Sequence, residues 1–333
     1  MSDIPQLPED LSKDCKRTGY SSLNAWMNEN NIVLAKSDNF FDSLAISIQD
    51  GVLTVAQLND AIAELDENSD KKIYLMNLTP ASDLVARKKE ILKDLHLRKG
   101  IVPSSQKWVN GTVKTDRPTF ICLYWDDNLL KIKYSEIQFN VEVDYENDKI
   151  IRTEKRVNIV YLIDPKDGFV QIRFDSPGTI HRHKADTGKS TEAAYEGFYK
   201  ELLQELFPAS AFKEMNLNGV ANYLANEELK KFRINKGVTT ISNNAKQTFA
   251  TASTLADVRN IPEYMAAASK GTEFWRAEDL TGYWVAKESA DELKRDLFMR
   301  ISRRNAHVRV QRGCLEKELN YGIEKIREIQ NSI

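Results

Sequence analysis

The residues best suited to chemistry lie near the carboxyl end, between positions 294 and 312. This stretch contains seven basic residues and one acid, Asp296, so its formal charge is +6. His307 lies among the basic residues. The basic residues are Lys294, Arg295, Arg300, Arg303, Arg304, Arg309 and Arg312. A guanidinium group can donate two parallel hydrogen bonds to one phosphate. Such a concentration of arginine is typical of a surface that binds nucleic acid.

The spacing within this stretch indicates a β-hairpin. Leu297, Met299 and Ile301 alternate with polar residues, as do Val308 and Val310 after a turn at 303–305. Side chains alternate between the two faces of a strand, so we expect the apolar set to pack inward. The outward set is then Arg300, Ser302, His307, Arg309 and Gln311. Two alternatives compete with phosphate binding: ion pairs with an acidic N-terminal module or plain solvation, and contact with an acidic protein partner.

A second basic stretch, residues 181–190, precedes a predicted helix. Arg182, Lys184 and Lys189 could assist nucleic-acid binding, since a helix N-terminus attracts anions. Thr-Gly-Lys-Ser at 187–190 matches the end of a P-loop, but that motif needs glycine where His183 stands. His181 and His183 lack the further ligands of a zinc site. We therefore expect neither nucleotide hydrolysis, nor a metal, nor another cofactor.

Other catalytic patterns are weak. Asp164 and Lys166 have a spacing used by metal-dependent nucleases, but Pro165 between them predicts a turn. The chain contains no GxSxG, HExxH, CxxC or GxGxxG motif. Stacking on nucleic-acid bases is considered for Trp284 or Tyr283, although packing explains an aromatic residue equally well. The sequence therefore favours a protein that is not an enzyme.

Composition limits the function classes further. A net charge of −2 gives no overall attraction to nucleic acid, so any such binding needs a local patch. Three widely spaced cysteines predict a reducing compartment without a disulfide framework. The polar start of the chain is not a signal peptide, and no apolar run is long enough to span a membrane. We expect a soluble, cytoplasmic protein without a membrane partner.

The helices and strands that the sequence predicts around these residues form an α+β fold. It consists of an acidic N-terminal helical module followed by antiparallel β-meanders covered by helices. The predicted units are a helical module at 1–100, a linker at 101–118, a meander with helices at 119–232, and a second α+β unit at 233–333. Within 1–100, 16 acids and 12 basic residues give a net charge of −4. Thr54 and Gln57 predict a capping box, and Thr79 and Pro80 predict the start of a helix that runs to about residue 98.

Period-2 alternation and turn residues place the meander strands at 119–125, 129–134, 137–145, 149–156, 157–163 and 168–174. Lys131 and Lys133 fall on the face expected to meet water. Further helices are expected at 191–207 and 218–232, strands at 238–241, 282–286, 293–302 and 306–312, and a closing helix over 319–329.

The resulting hypothesis is a non-catalytic, nucleic-acid-binding subunit that uses the basic hairpin, helped by Arg182, Lys184 and Lys189. The alternative is a protein-interaction or scaffold component of an intracellular complex, with a protein partner or a second copy of the chain. A metal-dependent enzyme of unfamiliar type ranks third.

Overall fold

The structure of the chain, a computed structural model, describes residues 5–79, 83–111, 113, 115–144, 148–176, 191–208, 210–226, 230–241, 246–268, 275–302, 307–311 and 313–333. It confirms the α+β class, because helices cover a large antiparallel sheet and a group of helices begins the chain. Among the described residues, no helix has both the length and the apolar character that crossing a bilayer requires.

Four helices form the N-terminal module. They are α1 (Glu9–Thr18), α2 (Tyr20–Glu29), α3 (Phe40–Gln49) and α4 (Val55–Asn68). The predicted capping box opens α4: the backbone N–H of Gln57 donates to Thr54 Oγ1 at 3.1 Å, and the Thr54 N–H donates to Gln57 Oε1 at 2.9 Å. The apolar faces of the four helices close a small core, which includes Leu23, Met27, Leu44, Leu58 and Ile62.

The sheet has eleven strands in the described part of the chain. They are β1 (Lys71–Thr79), β2 (Thr119–Trp125), β3 (Leu130–Asp144), β4 (Lys149–Ile163), β5 (Phe169–Asp175), β6 (Ala211–Glu214), β7 (Phe232–Ile241), β8 (Lys246–Ala250), β9 (Trp275–Trp284), β10 (Leu297–Ser302) and β11 (His307–Val310). The covering helices are α5 (Asp83–Ala86), α6 (Lys88–Lys99), α7 (Thr191–Leu206), α8 (Leu217–Asn226), α9 (Pro262–Ala268) and α10 (Glu316–Ser332).

Strand β1 joins the two halves of the sheet. The order is β2-β3-β4-β5-β1-β11-β10-β9-β7-β8, and β6 pairs with the second half of β1. The strand carries a nearly continuous apolar run because both of its faces are buried. Strands from the first, third and fourth predicted units thus share one sheet, and the division into domains stays a prediction.

Two apolar cores lie on opposite faces of this sheet. Tyr74, Met76 and Leu78 of β1 belong to one core, which packs β2–β5 against α6 and α7. Ile73 and Leu75 point the other way, into a core that packs β7, β9, β10 and β11 against α8 and α10. The alternation along one central strand therefore ties both cores together.

Strands β3 and β4 are longer than predicted. Each has 15 residues, and the pairing is continuous from Leu130 opposite Ile163 to Asp144 opposite Lys149. The expected break near residues 135–136 is wrong, because Ser135 and Glu136 are buried polar residues of a strand. The outer parts of the two strands, 137–144 and 149–156, continue past the ends of β2 and β5 as a two-stranded ribbon.

The helix expected from residue 80 to residue 98 is divided. It consists of α5 and α6, which are separated at Arg87. The predicted start at Thr79 and Pro80 falls partly outside the described residues. Gly100 ends α6 in the left-handed conformation, with φ of 66°, as expected for a glycine that follows a helix.

Candidate nucleic-acid interface

The predicted basic hairpin is present as β10 and β11. Leu297, Met299, Ile301, Val308 and Val310 all point into the core that α8 and α10 cover, which confirms the inward set. Arg300 and Arg309 lie directly opposite each other on the other face. The alternation of the sequence therefore positions these two arginines on the same face of the hairpin.

Both described arginines of the outward face have a carboxylate partner. Arg300 Nη2 lies 3.0 Å from Asp279 Oδ2 of β9, and Arg309 Nη2 lies 3.0 Å from Asp70 Oδ1 at the start of β1. The two arginine side chains are still 45% and 39% exposed. Exposed ion pairs contribute only about 0–1 kcal/mol, so a phosphate group can compete for either guanidinium.

The stretch before β10 is also paired. Lys294 Nζ lies 2.9 Å from Glu29 Oε2 of α2, and Arg295 Nε donates to Glu318 Oε1 of α10 at 2.8 Å. The Lys294–Glu29 pair joins the stretch to the acidic N-terminal module, which is one of the alternatives that the sequence left open. The local charge of +6 is therefore reduced substantially by nearby acids.

The expected exposure of His307 is wrong. His307 is 5% exposed and Ser302, opposite it, is fully buried. Strand β11 lies inside the sheet, between β1 and β10, and the ring of Tyr74 packs edge-on against His307 at a centroid distance of 6.0 Å. This burial leaves His307 outside the accessible surface of the hairpin.

The remaining predicted residues lie outside the described residues. These are Arg182, Lys184, Lys189, Arg303, Arg304 and Arg312. Their assignment to the interface stays a prediction.

The structure adds an aromatic pair to the face that carries Arg300. Tyr283 of β9 and Phe298 of β10 are directly opposite each other, with ring centroids 5.3 Å apart and an interplanar angle of 68°. Both side chains are half-buried. Arg233 of β7 places its guanidinium 5.3 Å from the Tyr283 ring and its Nη2 2.6 Å from Asp296 Oδ2. We call these four residues, Arg233, Tyr283, Phe298 and Arg300, the Tyr283 face.

The sequence pattern indicates only part of this face. Trp284, the other aromatic residue considered, is 1% exposed and packs in the core against Phe232. The same alternation that placed Arg300 outward also places Phe298 outward, so the signal for Phe298 was present. Arg233 carried no such signal, because its strand was predicted to begin only at residue 238.

Chemically, the Tyr283 face combines flat aromatic surfaces with guanidinium groups. Nucleic-acid bases stack on aromatic rings and on guanidinium planes, while arginine also contacts the phosphate backbone. A sheet holds such side chains at fixed spacing, because their direction follows from the strand pairing. The arrangement therefore suits an unpaired nucleic-acid strand better than a groove of a duplex.

A buried ionic cluster lies between α4 and β3. Glu67 accepts hydrogen bonds from Lys131 at 2.8 Å and from Lys133 at 3.0 Å, and all three side chains are almost completely buried. The expectation that these lysines meet water is wrong, since α4 covers that side of the strand. We call Glu67, Lys131 and Lys133 the Glu67 cluster. Its burial gives it a structural role, which is to fix the N-terminal module on the sheet.

The spacing of Asp164 and Lys166 corresponds to a turn, while the histidine pair and the Thr-Gly-Lys-Ser stretch within 181–190 lie outside the described residues. Asp164 Oδ1 accepts the backbone N–H of Lys166 at 2.8 Å, as expected for an acid that shapes a turn. Within the described ranges, no group of three or more histidine, cysteine or acidic residues could hold a metal ion. The cysteine side chains at 15, 122 and 314 are buried and free.

The chain matches no known protein-family model, and a comparison with curated proteins found no similar sequence.

Proposed function

We propose that this protein is a non-catalytic subunit that binds single-stranded nucleic acid through the Tyr283 face. The observation that carries the proposal is the cross-strand pair of Tyr283 and Phe298 beside two guanidinium groups on one sheet face. In proteins that bind single-stranded nucleic acid, stacking on an aromatic side chain contributes about 1–3 kcal/mol per base. Two rings can therefore supply useful affinity without strong net positive charge.

The ion pairs set the expected electrostatics. Arg233 and Arg300 each have a carboxylate neighbour, Asp296 and Asp279 respectively. A phosphate must displace or share these partners, so we expect fewer counterions to be released than the sequence charge of the hairpin suggests. Arg303 and Arg304, which the sequence places at the turn between β10 and β11, would add charge at one end of the face. Binding should therefore depend only moderately on salt.

The direct test is fluorescence anisotropy with labelled 12-nucleotide single strands and the matching duplex, at 50 to 300 mM salt. Phe298→Ala and Tyr283→Ala should each weaken single-strand binding about 5- to 150-fold, by loss of one stacking surface. Tyr20→Ala is the matched control, because Tyr20 is 57% exposed on the N-terminal module. Equal affinity of the wild type and the Phe298 variant would contradict the proposal.

A basic-turn variant tests the electrostatic part separately. The double variant Arg303→Glu, Arg304→Glu should bind nucleic acid more weakly, and its affinity should depend less on salt concentration. If the wild-type protein binds neither DNA nor RNA at low salt, nucleic-acid binding is excluded.

A second candidate function is that of a protein-interaction component, and one observation favours it. The ribbon of 137–144 and 149–156 carries Val143 opposite Ile150, and these side chains are 48% and 74% exposed. Such exposed apolar residues on a projecting two-stranded ribbon are typical of contact sites. Ile150→Lys should then abolish a complex that survives nuclease treatment, or a dimer measured by light scattering, while leaving oligonucleotide binding intact.

A further inference from the structure

A polar cleft lies where the N-terminal module meets the end of the sheet. Its volume is about 380 Å³, within the range of small-molecule sites. The ends of α1 and α4 form one wall with Arg17 and Asp66, and β1, β4 and β5 form the other with Lys71, Arg156 and Asp175. Asn158 of β4 is also part of the lining. We call this space the Arg156 cleft.

Three buried polar atoms of cleft-lining residues have no hydrogen-bond partner: Arg156 Nη2, Asn158 Oδ1 and Asp66 Oδ2, the last of which is ion-paired with Arg17. Arg156 donates through Nη1 to Asn110 Oδ1 at 3.0 Å and through Nε to Ser135 Oγ at 3.3 Å, but its Nη2 has no acceptor. Asn158 is 1% exposed, and its Oδ1 has no donor. Proteins rarely leave buried polar atoms unsatisfied, since each costs about 1–3 kcal/mol. Arg156 and Asn158 are two positions apart on β4, so their side chains lie on the same face of the strand.

Four basic residues, Arg17, Lys71, Lys155 and Arg156, and four acids, Asp66, Asp70, Glu154 and Asp175, line the cleft, so its lining has no net charge and the site depends on how the individual groups are paired. Arg17 is paired with Asp66 at 2.7 Å, and Lys71 is paired with Asp175. Arg156 has only neutral hydrogen-bond partners. Burial lowers the pKa of the Arg156 guanidinium and the nearby charge of Arg17 lowers it further, while the carboxylates of Asp66, Asp14 and Asp175 partly offset these two effects. An anion placed at Nη2 would oppose both effects.

We propose that the Arg156 cleft binds the oxyanion group, phosphate or carboxylate, of a small polar metabolite. One anionic oxygen accepts the unpaired N–H of Arg156. Asn158 makes the second contact, either through its amide N–H after a half-turn of the side chain or through Oδ1 to a ligand hydroxyl. The cleft is larger than a lone phosphate, so the rest of a small molecule fits beside the anionic group. This site is separate from the Tyr283 face and does not depend on nucleic-acid binding.

Thermal unfolding of the full chain tests the proposal, with potassium phosphate, potassium succinate and potassium chloride at matched ionic strength. At ten times its dissociation constant, a specific ligand should raise the midpoint by about 2 °C for a chain of 333 residues. The phosphate and succinate arms distinguish a phosphoryl group from a carboxylate. Arg156→Gln should lose the increase, and Arg152→Gln should keep it, because the Arg152 guanidinium lies over the Phe139 ring on the ribbon.

Asn158→Asp serves if Arg156→Gln does not fold. It keeps the size of the side chain and adds a negative charge beside the bound anion, so it should also abolish the increase. Direct titration by calorimetry with the same two salts gives an independent reading, with binding expected in the wild type and in Arg152→Gln only. No difference between chloride and both oxyanions in the wild type would overturn the proposal. An equal increase in Arg156→Gln would also overturn it, since the anion would then bind elsewhere.

Discussion

Removing the one acid of the Glu67 cluster should be among the most damaging single changes to stability. Glu67→Gln keeps the shape of the side chain but leaves two buried ammonium groups, on Lys131 and Lys133, without a counter-charge. Breaking a buried ion pair from one side costs about 3–5 kcal/mol, because an uncompensated charge stays buried. We therefore expect the free energy of unfolding at pH 7 to fall by about 3–5 kcal/mol.

The pH dependence gives this prediction a second readout. Burial lowers the pKa of Lys131 below its ordinary value of 10.5, and Glu67 partly offsets that effect. Without Glu67 the pKa of Lys131 should fall further, so the unfolded state binds more protons than the folded state over a wider range of pH. Stability of the variant should then rise with pH up to about 10.5, by at most about 1.4 kcal/mol per pH unit.

Urea unfolding followed by circular dichroism measures both effects. Glu205→Gln is the matched control, because Glu205 pairs with Lys99 at 3.0 Å on the surface and should cost less than about 1 kcal/mol. Replacing all three members of the Glu67 cluster by leucine and methionine should recover most of the loss. A loss below 1 kcal/mol in Glu67→Gln, or a deficit that does not shrink at high pH, would refute the reasoning.

Three further substitutions have defined outcomes. Asp279→Asn should free Arg300 from its ion pair and raise single-strand affinity about 2- to 5-fold, as measured by anisotropy. The slope of log affinity against log salt concentration should become steeper by the amount that one additional phosphate contact gives. Gly282→Ala should destabilise the sheet by about 1–3 kcal/mol in urea unfolding, since the new Cβ would lie 2.5 Å from the carbonyl oxygen of Arg233. Burial raises the pKa of the Cys15 thiol to about 12. Between pH 8 and pH 10.5 the free energy of unfolding of the wild type should therefore fall by about 2 kcal/mol more than that of Cys15→Ala.

Each of these has a control or a contrary result. Gly197→Ala, at a half-buried position of α7, has nothing within 4 Å of the new Cβ and should stabilise by about 0.5–1 kcal/mol. Unchanged binding in Asp279→Asn would show that the guanidinium of Arg300 does not contact the ligand. For Cys15, the loss follows because the unfolded thiol ionises above its ordinary pKa of 9.0 while the folded thiol stays protonated. Parallel alkaline curves for the variant and the wild type would contradict this.

Elements with strong local patterns could be predicted from the sequence. Strand β2 lies at Thr119–Trp125 as predicted, because its β-branched and aromatic residues are bounded by acidic turn residues. The capping box of α4 also has the expected hydrogen bonds. Both features depend on contacts between residues close together in the chain, which spacing alone reveals.

Features that depend on distant contacts were not predicted. The central position of β1 follows from its pairing with β5 and β11, which local spacing does not encode. Lys131 and Lys133 follow the alternation of a solvent-facing side, and only the approach of Glu67 from α4 makes them buried residues. Hydrophobic alternation identifies the face of a strand, but not what covers that face.

The same distinction applies to the interface. Alternation placed Arg300 and Arg309 correctly on one face of the hairpin. The burial of His307 arises from Tyr74 on a strand more than 200 residues earlier, so local spacing could not show it. The pairing of Phe298 with Tyr283 requires knowing that β9 adjoins β10. The aromatic half of the Tyr283 face therefore emerges only from the fold.

We propose that two aromatic rings and their neighbouring guanidinium groups bind unpaired nucleic-acid strands. The decisive experiment compares the wild type with the double variant Tyr283→Ala, Phe298→Ala in binding a labelled single strand across a salt series. Loss of stacking should lower affinity at least about 30-fold while the salt slope stays the same, because the phosphate contacts remain. A wild type that fails to bind at 50 mM salt, or a double variant that binds equally well, would contradict the claim.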